Sequence, residues 1–339
     1  MVVYLCNIAC LTGMWFLLSN YQKDKNRIFC FFASLNWILI SGLRSLSVGD
    51  DTKAYKEQFT NIKFQTWDSL FEAFKQKYFH NGDGKDIGYG LLEKAFQIIS
   101  TNYQFWLFAI AALFFVAFGF FVYKYSENPY LSYILFSTLF YSFFAITGLR
   151  QTIATAVVVL IGIELIKRKK FVPFFILIIL MSTVHASVLC FLPFYWLAII
   201  FSFVFRNQLF NFLKNVAGYE QYSEYEGAGA TTFTLLLLLI AVYTTFTYKL
   251  MLYKDDKGIN EISINALMLS CFFSSMLMIN PSTMRVVQYY SIFMVLIFPL
   301  IIKTIKTDKM QRLATAIIVF ILCILAFKKT PEYQFFWQG

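Results

Sequence analysis

Two arginines stand where a charge is costly to keep. Arg150 follows Gly148-Leu149 at the joint of two runs, Tyr130 to Leu149 and Thr152 to Ile163, that carry no formal charge. Arg44 closes an earlier apolar run with the same lead-in, Ser41-Gly42-Leu43-Arg44 against Thr147-Gly148-Leu149-Arg150. A cation in hydrocarbon is expensive, so such residues sit at an interface or cavity and have a task there. Two guanidiniums at the same kind of helix end point to a shared anion, because their forked donors match phosphate oxygens bidentately. Arg285, after Asn280-Pro281-Ser282-Thr283-Met284, is a third arginine at the end of an apolar run. His185 ends the run Phe171 to Val184, and Asp50 and Asp51 follow Gly49 in a turn. Arginines beside a histidine and a carboxylate suit a reaction that moves a proton while an anion departs.

The elements that must hold these residues are membrane spans. The chain is 59% hydrophobic and 14% charged, with 41 Phe and 21 Tyr. Soluble domains have about 25% charged residues. The expected fold is an all-α polytopic integral membrane protein, one transmembrane domain over residues 1–339. Charge-poor runs of bilayer-crossing length give about ten to twelve spans. The net charge of +10 is then read as cytoplasmic loops lying against anionic headgroups, and nucleic acid is not an expected partner. The six cysteines all fall in apolar runs and form no C-x-x-C pair, which excludes a zinc-ribbon pattern and a disulfide framework.

Short basic loops set the expected sidedness. Lys23 to Arg27, Lys167-Arg168-Lys169-Lys170 and Lys303 to Arg312 are assigned to the cytoplasm. The segment 44–103, with Asp50, Asp51, Asp68, Asp83 and Asp86, is then an outer loop of about 60 residues. Within it Trp67 to Phe74 reads as an amphipathic helix on the membrane surface. Asp86 to Ser100 reads as a helix with Leu91, Leu92, Ala95, Phe96 and Ile99 on one face. Residues 171–230 must cross an odd number of times, by a re-entrant pair at His185 or by two short spans broken at Pro193; the second arrangement is favoured. Tyr219 to Gly229 is expected to be a small outer loop, and the chain's tail lies outside.

This alternation, built without the isolated charges, puts Arg44, Asp51, Arg150, His185 and Arg285 at the same outer face. Each has a plainer explanation on its own. A helix-end arginine commonly snorkels to headgroups, a single histidine is more often a satisfied core imidazole, and Asp50 and Asp51 can cap a helix running through Tyr55.

Around these residues the sequence resembles the EpsG family, the Wzy-like polymerases of bacterial exopolysaccharides. The resemblance lies in Gly42-Leu43-Arg44 with Val48-Gly49-Asp50-Asp51-Thr52-Lys53-Ala54-Tyr55, and in Asp86-Ile87-Gly88-Tyr89. It continues in Gly148-Leu149-Arg150-Gln151-Thr152-Ile153-Ala154, His185-Ala186-Ser187 and Arg285. One departure is Asp50, where the family commonly has threonine. The resemblance implies a GT-C-like fold and transfer of glycan from a polyprenyl-diphosphate carrier at the outer face of the cytoplasmic membrane. On that reading Arg44, Arg150 and Arg285 bind the diphosphate, and His185 and Asp51 are catalytic, with His185 the base. Gln151, Tyr55 and Asp50 contact substrate. Tyr55, Tyr89 and Trp67 are also candidates to stack on sugars. No metal or cofactor is expected. The partners are the lipid-linked oligosaccharide, the bilayer, and a chain-length regulator and flippase of the same pathway. A lipid-linked oligosaccharide flippase and a membrane glycan acyltransferase are the alternatives.

Overall fold

The computed structural model describes residues 2–21, 24–80, 82, 84, 86–191, 231–253, 258–278, 283–329 and 332–338. The expected short spans around Pro193 and the outer loop 219–229 lie outside these residues. The described chain is helical and contains no strand; one isolated antiparallel bridge joins Arg44 to Phe335.

Helices α1 (Val2–Leu17), α2 (Lys25–Gly42), α6 (Tyr103–Tyr125) and α7 (Pro129–Leu135) form the centre. Lipid offers no hydrophobic drive for helices to associate, so close packing and polar contacts must hold them together. Trp37 stacks on Phe115 at 5.6 Å, and Phe114 on Phe144 at 5.4 Å. The Ser34 and Tyr133 hydroxyls hydrogen-bond at 2.6 Å, and the Trp37 indole donates to Ser137 Oγ at 3.1 Å.

Among the described residues, four helices are long and apolar enough to cross a bilayer: Tyr103–Tyr125, Leu149–Lys167, Thr232–Leu252 and Asp308–Phe327. The bent pair Met284–Ser291 and Met294–Lys303 supplies a fifth crossing if it is one span, with shorter apolar helices at Val2–Leu17, Pro129–Phe140 and Phe171–Ser182. The last long helix buries only 11% of its most apolar window. Leu313, Ile317, Phe320, Ile321 and Ile324 are exposed along it. An apolar surface of that extent is tolerated in hydrocarbon and not in water. This is a multi-pass membrane protein.

The charged residues sort to two ends. Lys124 pairs with Glu164, Lys303 with Glu127 at 2.8 Å, and Lys167 lies over the Tyr125 ring at 4.7 Å. These are the basic loops assigned to one side. The other end carries α3 (Thr52–Ile62), α4 (Trp67–Phe79) and α5 (Ile87–Phe96). Helix α4 forms as expected, capped by Thr66 Oγ1 accepting from the Ser69 amide at 3.2 Å. It buries only Leu70, while Trp67, Phe71 and Phe79 are exposed.

Helix α5 falls within the helix expected at residues 86–100. Leu92, Ala95 and Ile99 are exposed, and the buried face is Gly88, Tyr89, Gly90 and Glu93. At a membrane surface the apolar face turns to lipid and the polar face inward, the reverse of a soluble amphipathic helix.

Candidate functional site

Four segments bring their ends together beside α3. Helix α7 continues through two π-helical stretches, Phe136–Phe140 and Ser142–Ile146, and stops at Thr147, whose amide and hydroxyl donate to Ser142 O at 2.9 Å. Gly148 then turns the chain at φ 63°, ψ 44°, a left-handed conformation that favours glycine. Helix α8 (Leu149–Ala154) starts there and passes into a third π stretch, Thr155–Ile161. Interruptions of this kind are frequent at functional sites. Here they leave Arg150 on the first turn of α8, beneath α3 and α5.

Asp86 precedes α5 at φ 53°, an uncommon conformation for a residue with a Cβ. Its position is fixed by Gly88, whose amide donates to Thr183 O at 2.9 Å. A Cβ at residue 88 would meet Thr183 Oγ1 at 2.2 Å and the Thr183 backbone at 2.8 Å. Glycine therefore lets α5 lie directly on the turn that ends α9 (Phe171–Ser182) and presents His185. That docking puts Asp86 in the middle of the cluster. Its Oδ1 accepts the Ala186 amide at 3.1 Å and its Oδ2 accepts Arg150 Nη1 at 2.8 Å. His185 Nδ1 lies 3.5 Å from the same Oδ2. Gly88→Ala should separate α5 from this turn and abolish most activity while the protein still reaches the membrane. Exchange-rate or crosslinking measurements between residues 86 and 185 would show the parting; wild-type activity in Gly88→Ala would contradict it.

Arg150 also donates Nε to the Tyr55 hydroxyl at 3.4 Å, with its guanidinium over the rings of Tyr55 at 5.2 Å and Tyr89 at 5.8 Å. Gln151 Nε2 donates to Arg285 O at 2.8 Å, tying α8 to the start of the helix Met284–Ser291. The result is a cleft of ≈540 Å³, open mouth included, lined by Asp51, Ala54, Tyr55, Gln58, Asp86, Gly148, Arg150, Gln151, His185 and Arg285.

Burial and the charges in the cleft set the protonation states of Asp86 and His185. Burial would raise the Asp86 pKa, but His185, Arg150 and the Ala186 amide outweigh it and hold the group below the usual carboxylate range. Burial pushes the His185 pKa down, further than the Asp86 carboxylate pulls it up, and Arg285 and Arg150 add to the lowering. The pair is therefore carboxylate and neutral imidazole at neutral pH. A carboxylate facing Nδ1 favours the tautomer with its proton there and leaves a lone pair on Nε2. Nε2 is buried and has no hydrogen-bond partner among the described residues.

Behind the cleft, Glu93 is fully buried one turn from Tyr89. Burial pushes its carboxyl up to about 8, with Tyr89, Arg150 and Gln58 pulling weakly the other way. Its folded value is thus above its unfolded value, so its contribution to stability is full below the unfolded pKa and is lost as pH rises toward 8. Glu93→Gln should match wild type in thermal stability at pH 4.5 and exceed it at pH 8; a gap independent of pH would contradict this assignment.

Of the residues singled out from sequence, Asp51, Tyr55, Arg150, Gln151, His185 and Arg285 line the one cleft. Arg44 and Asp50 do not. Asp50 is exposed, and Arg44 is buried under the C-terminal segment. Asp51 precedes α3 without a side-chain cap bond, so its carboxylate is not spent on capping. The acid beside His185 is Asp86, which sequence reasoning treated only as a helix start. The signal was its place in Asp86-Ile87-Gly88-Tyr89, an acid and a glycine two residues apart before a buried tyrosine.

The sequence profile of the EpsG family matches residues 27–338, nearly the whole chain and every residue of this cleft. The chain belongs to the EpsG family. No curated protein and no solved structure gives a significant match. Membership makes the chain polymerase-like, of glycosyltransferase type, and links it to polysaccharide biosynthesis. Within the matched segment, Gly88 docks α5 on Thr183 and Asp86 Oδ2 lies 3.5 Å from His185 Nδ1.

Proposed function

We propose that this EpsG-family protein joins oligosaccharide repeat units carried on polyprenyl diphosphate, at the outer face of a bacterial cytoplasmic membrane. The observation that supports it most is the convergence of His185, Asp86, Arg150 and Arg285 in one cleft at one end of a membrane bundle. His185 Nε2 takes the proton from a sugar hydroxyl of the acceptor. That oxygen attacks the anomeric carbon of the donor sugar, and the bond from this carbon to the diphosphate oxygen breaks. Polyprenyl diphosphate leaves with the electron pair, and Arg150 and Arg285 offset the charge that develops on it. Asp86 orients the imidazole and stabilises the imidazolium; the 3.5 Å contact is one that tightens when substrate binds. Asp51 and Gln58, at the rim, suit hydrogen bonds to sugar hydroxyls, and Tyr55 offers a ring to a sugar face.

Cells lacking the protein test this reading. They should accumulate single repeat units on the lipid carrier, exposed to enzymes added from outside. Accumulation on the cytoplasmic leaflet would instead indicate a flippase.

A further inference from the structure

Glu93 is an ionisable group at this end of the bundle that the proposed reaction leaves unused. It lies on α5 one turn beyond Tyr89, is 0% exposed, and has no hydrogen-bond partner for either carboxyl oxygen among the described residues. No Lys, Arg or His lies within ion-pair distance of it among those residues. A carboxylate sealed in without a counter-charge is strongly unfavourable, so the folded protein holds this group as a neutral acid. Burial lifting its carboxyl to about 8 agrees with that. Its surroundings lead back to the cleft. Gln58 from α3, Tyr89 from α5, Tyr103 from α6 and Arg150 from α8 are the groups that act on Glu93 or feel its charge; α4 adds none among the described residues. The Trp106 indole donates to the Tyr89 hydroxyl at 3.2 Å, which leaves the hydroxyl proton for another acceptor. The Tyr89 ring in turn lies 5.8 Å from the Arg150 guanidinium. Two carboxyl groups therefore compete for one arginine: Asp86, 2.8 Å from Nη1 in the cleft, and Glu93 behind Tyr89.

We propose that Glu93 is a positioning residue: as a neutral acid it leaves Arg150 to Asp86, and once ionised it draws the guanidinium away from Asp86 and out of the cleft. This role rests on the polymerase reading, in which Arg150 offsets the charge on the departing diphosphate. An anion formed in a wall of low dielectric acts strongly on the cation nearest to it. Tyr89 and Gln58 carry no charge to neutralise it, and Arg150 is the cation that acts on Glu93. When the guanidinium moves, Asp86 loses its partner and the carboxylate that orients His185 is no longer held. Activity then has two limbs, an acid one from His185 and an alkaline one from Glu93. The neutral form of Glu93 is present below about 8 and is lost as pH rises through that value.

Two measurements on purified protein in nanodiscs test this, each comparing wild type with Glu93→Gln, which fixes a neutral side chain of nearly the same volume. The first needs no substrate. Phenylglyoxal labels arginine, and the Arg150 side chain, 23% exposed, is within its reach. Labelling at Arg150 is read by mass spectrometry, and the ratio of wild type to Glu93→Gln cancels the reagent's own pH dependence. That ratio should be close to one at about pH 7 and fall severalfold by about pH 9. The second measurement is polymerisation of purified lipid-linked repeat units. The wild-type rate should fall about fivefold between pH 8 and pH 9, the slope of one group titrating at about 8, while Glu93→Gln holds its rate over that interval. A labelling ratio that does not change with pH would overturn the proposal, because Arg150 then ignores the charge on Glu93. So would the same alkaline fall in both proteins. If wild type makes no polymer at any pH while the ratio still falls, the polymerase reading fails and the control of Arg150 by Glu93 stands.

Discussion

Replacing His185 with alanine should slow turnover by about 10²–10⁴-fold, the usual contribution of a positioned base, while lipid-linked substrate still binds. The geometry supports a kinetic rather than a binding defect. The imidazole is buried, its Nδ1 faces Asp86, and its Nε2 has no protein partner among the described residues. The pH profile gives a second readout. His185 must be neutral to accept a proton, and its pKa is lowered by burial against the pull of Asp86. Wild-type activity should therefore hold down through the ordinary histidine range near 6.5 and fall only in more acid solution. That acid limb should vanish from the residual activity of His185→Ala. Asp86→Asn should behave similarly in rate, since an amide cannot stabilise the imidazolium. A wild-type rate in His185→Ala would move the base elsewhere in the cleft, with Asp51 the next candidate.

Arg150→Lys carries the second large effect. Lysine keeps the charge beside Asp86, so the buried carboxylate retains a partner and the protein should accumulate normally. It loses the planar fork that reaches Asp86 and Tyr55 at once and lies over two tyrosine rings. If Arg150 also stabilises the departing diphosphate, the rate should fall about 10²–10³-fold, the loss typical of one preorganised donor. A headgroup-snorkelling arginine would tolerate the change. Full activity in Arg150→Lys, measured at equal protein level, would return the residue to that role.

Much of this site is legible in the sequence. The alternation of basic loops was enough to bring Asp51, Arg150, His185 and Arg285 to one face, because topology in a bilayer leaves few choices for which helix ends meet, and the family resemblance added Tyr55 and Gln151. Two features were hidden for identifiable reasons. Asp86 was passed over because its importance comes from a left-handed turn and from the contact of Gly88 with Thr183, neither of which has a spacing signature. Arg44 was placed with the other arginines because its run is written like theirs. Its cover comes from Tyr333 to Phe336, about 290 positions away, in a stretch with no helical or strand period.

The central claim is that this cleft performs glycosyl transfer with His185 as base. It is tested most directly by supplying purified protein in nanodiscs with purified lipid-linked repeat units and following both products. Polymer should lengthen with one polyprenyl diphosphate released per linkage, and His185→Ala should slow both together. Release without polymer, or equal rates in the two proteins, would contradict it.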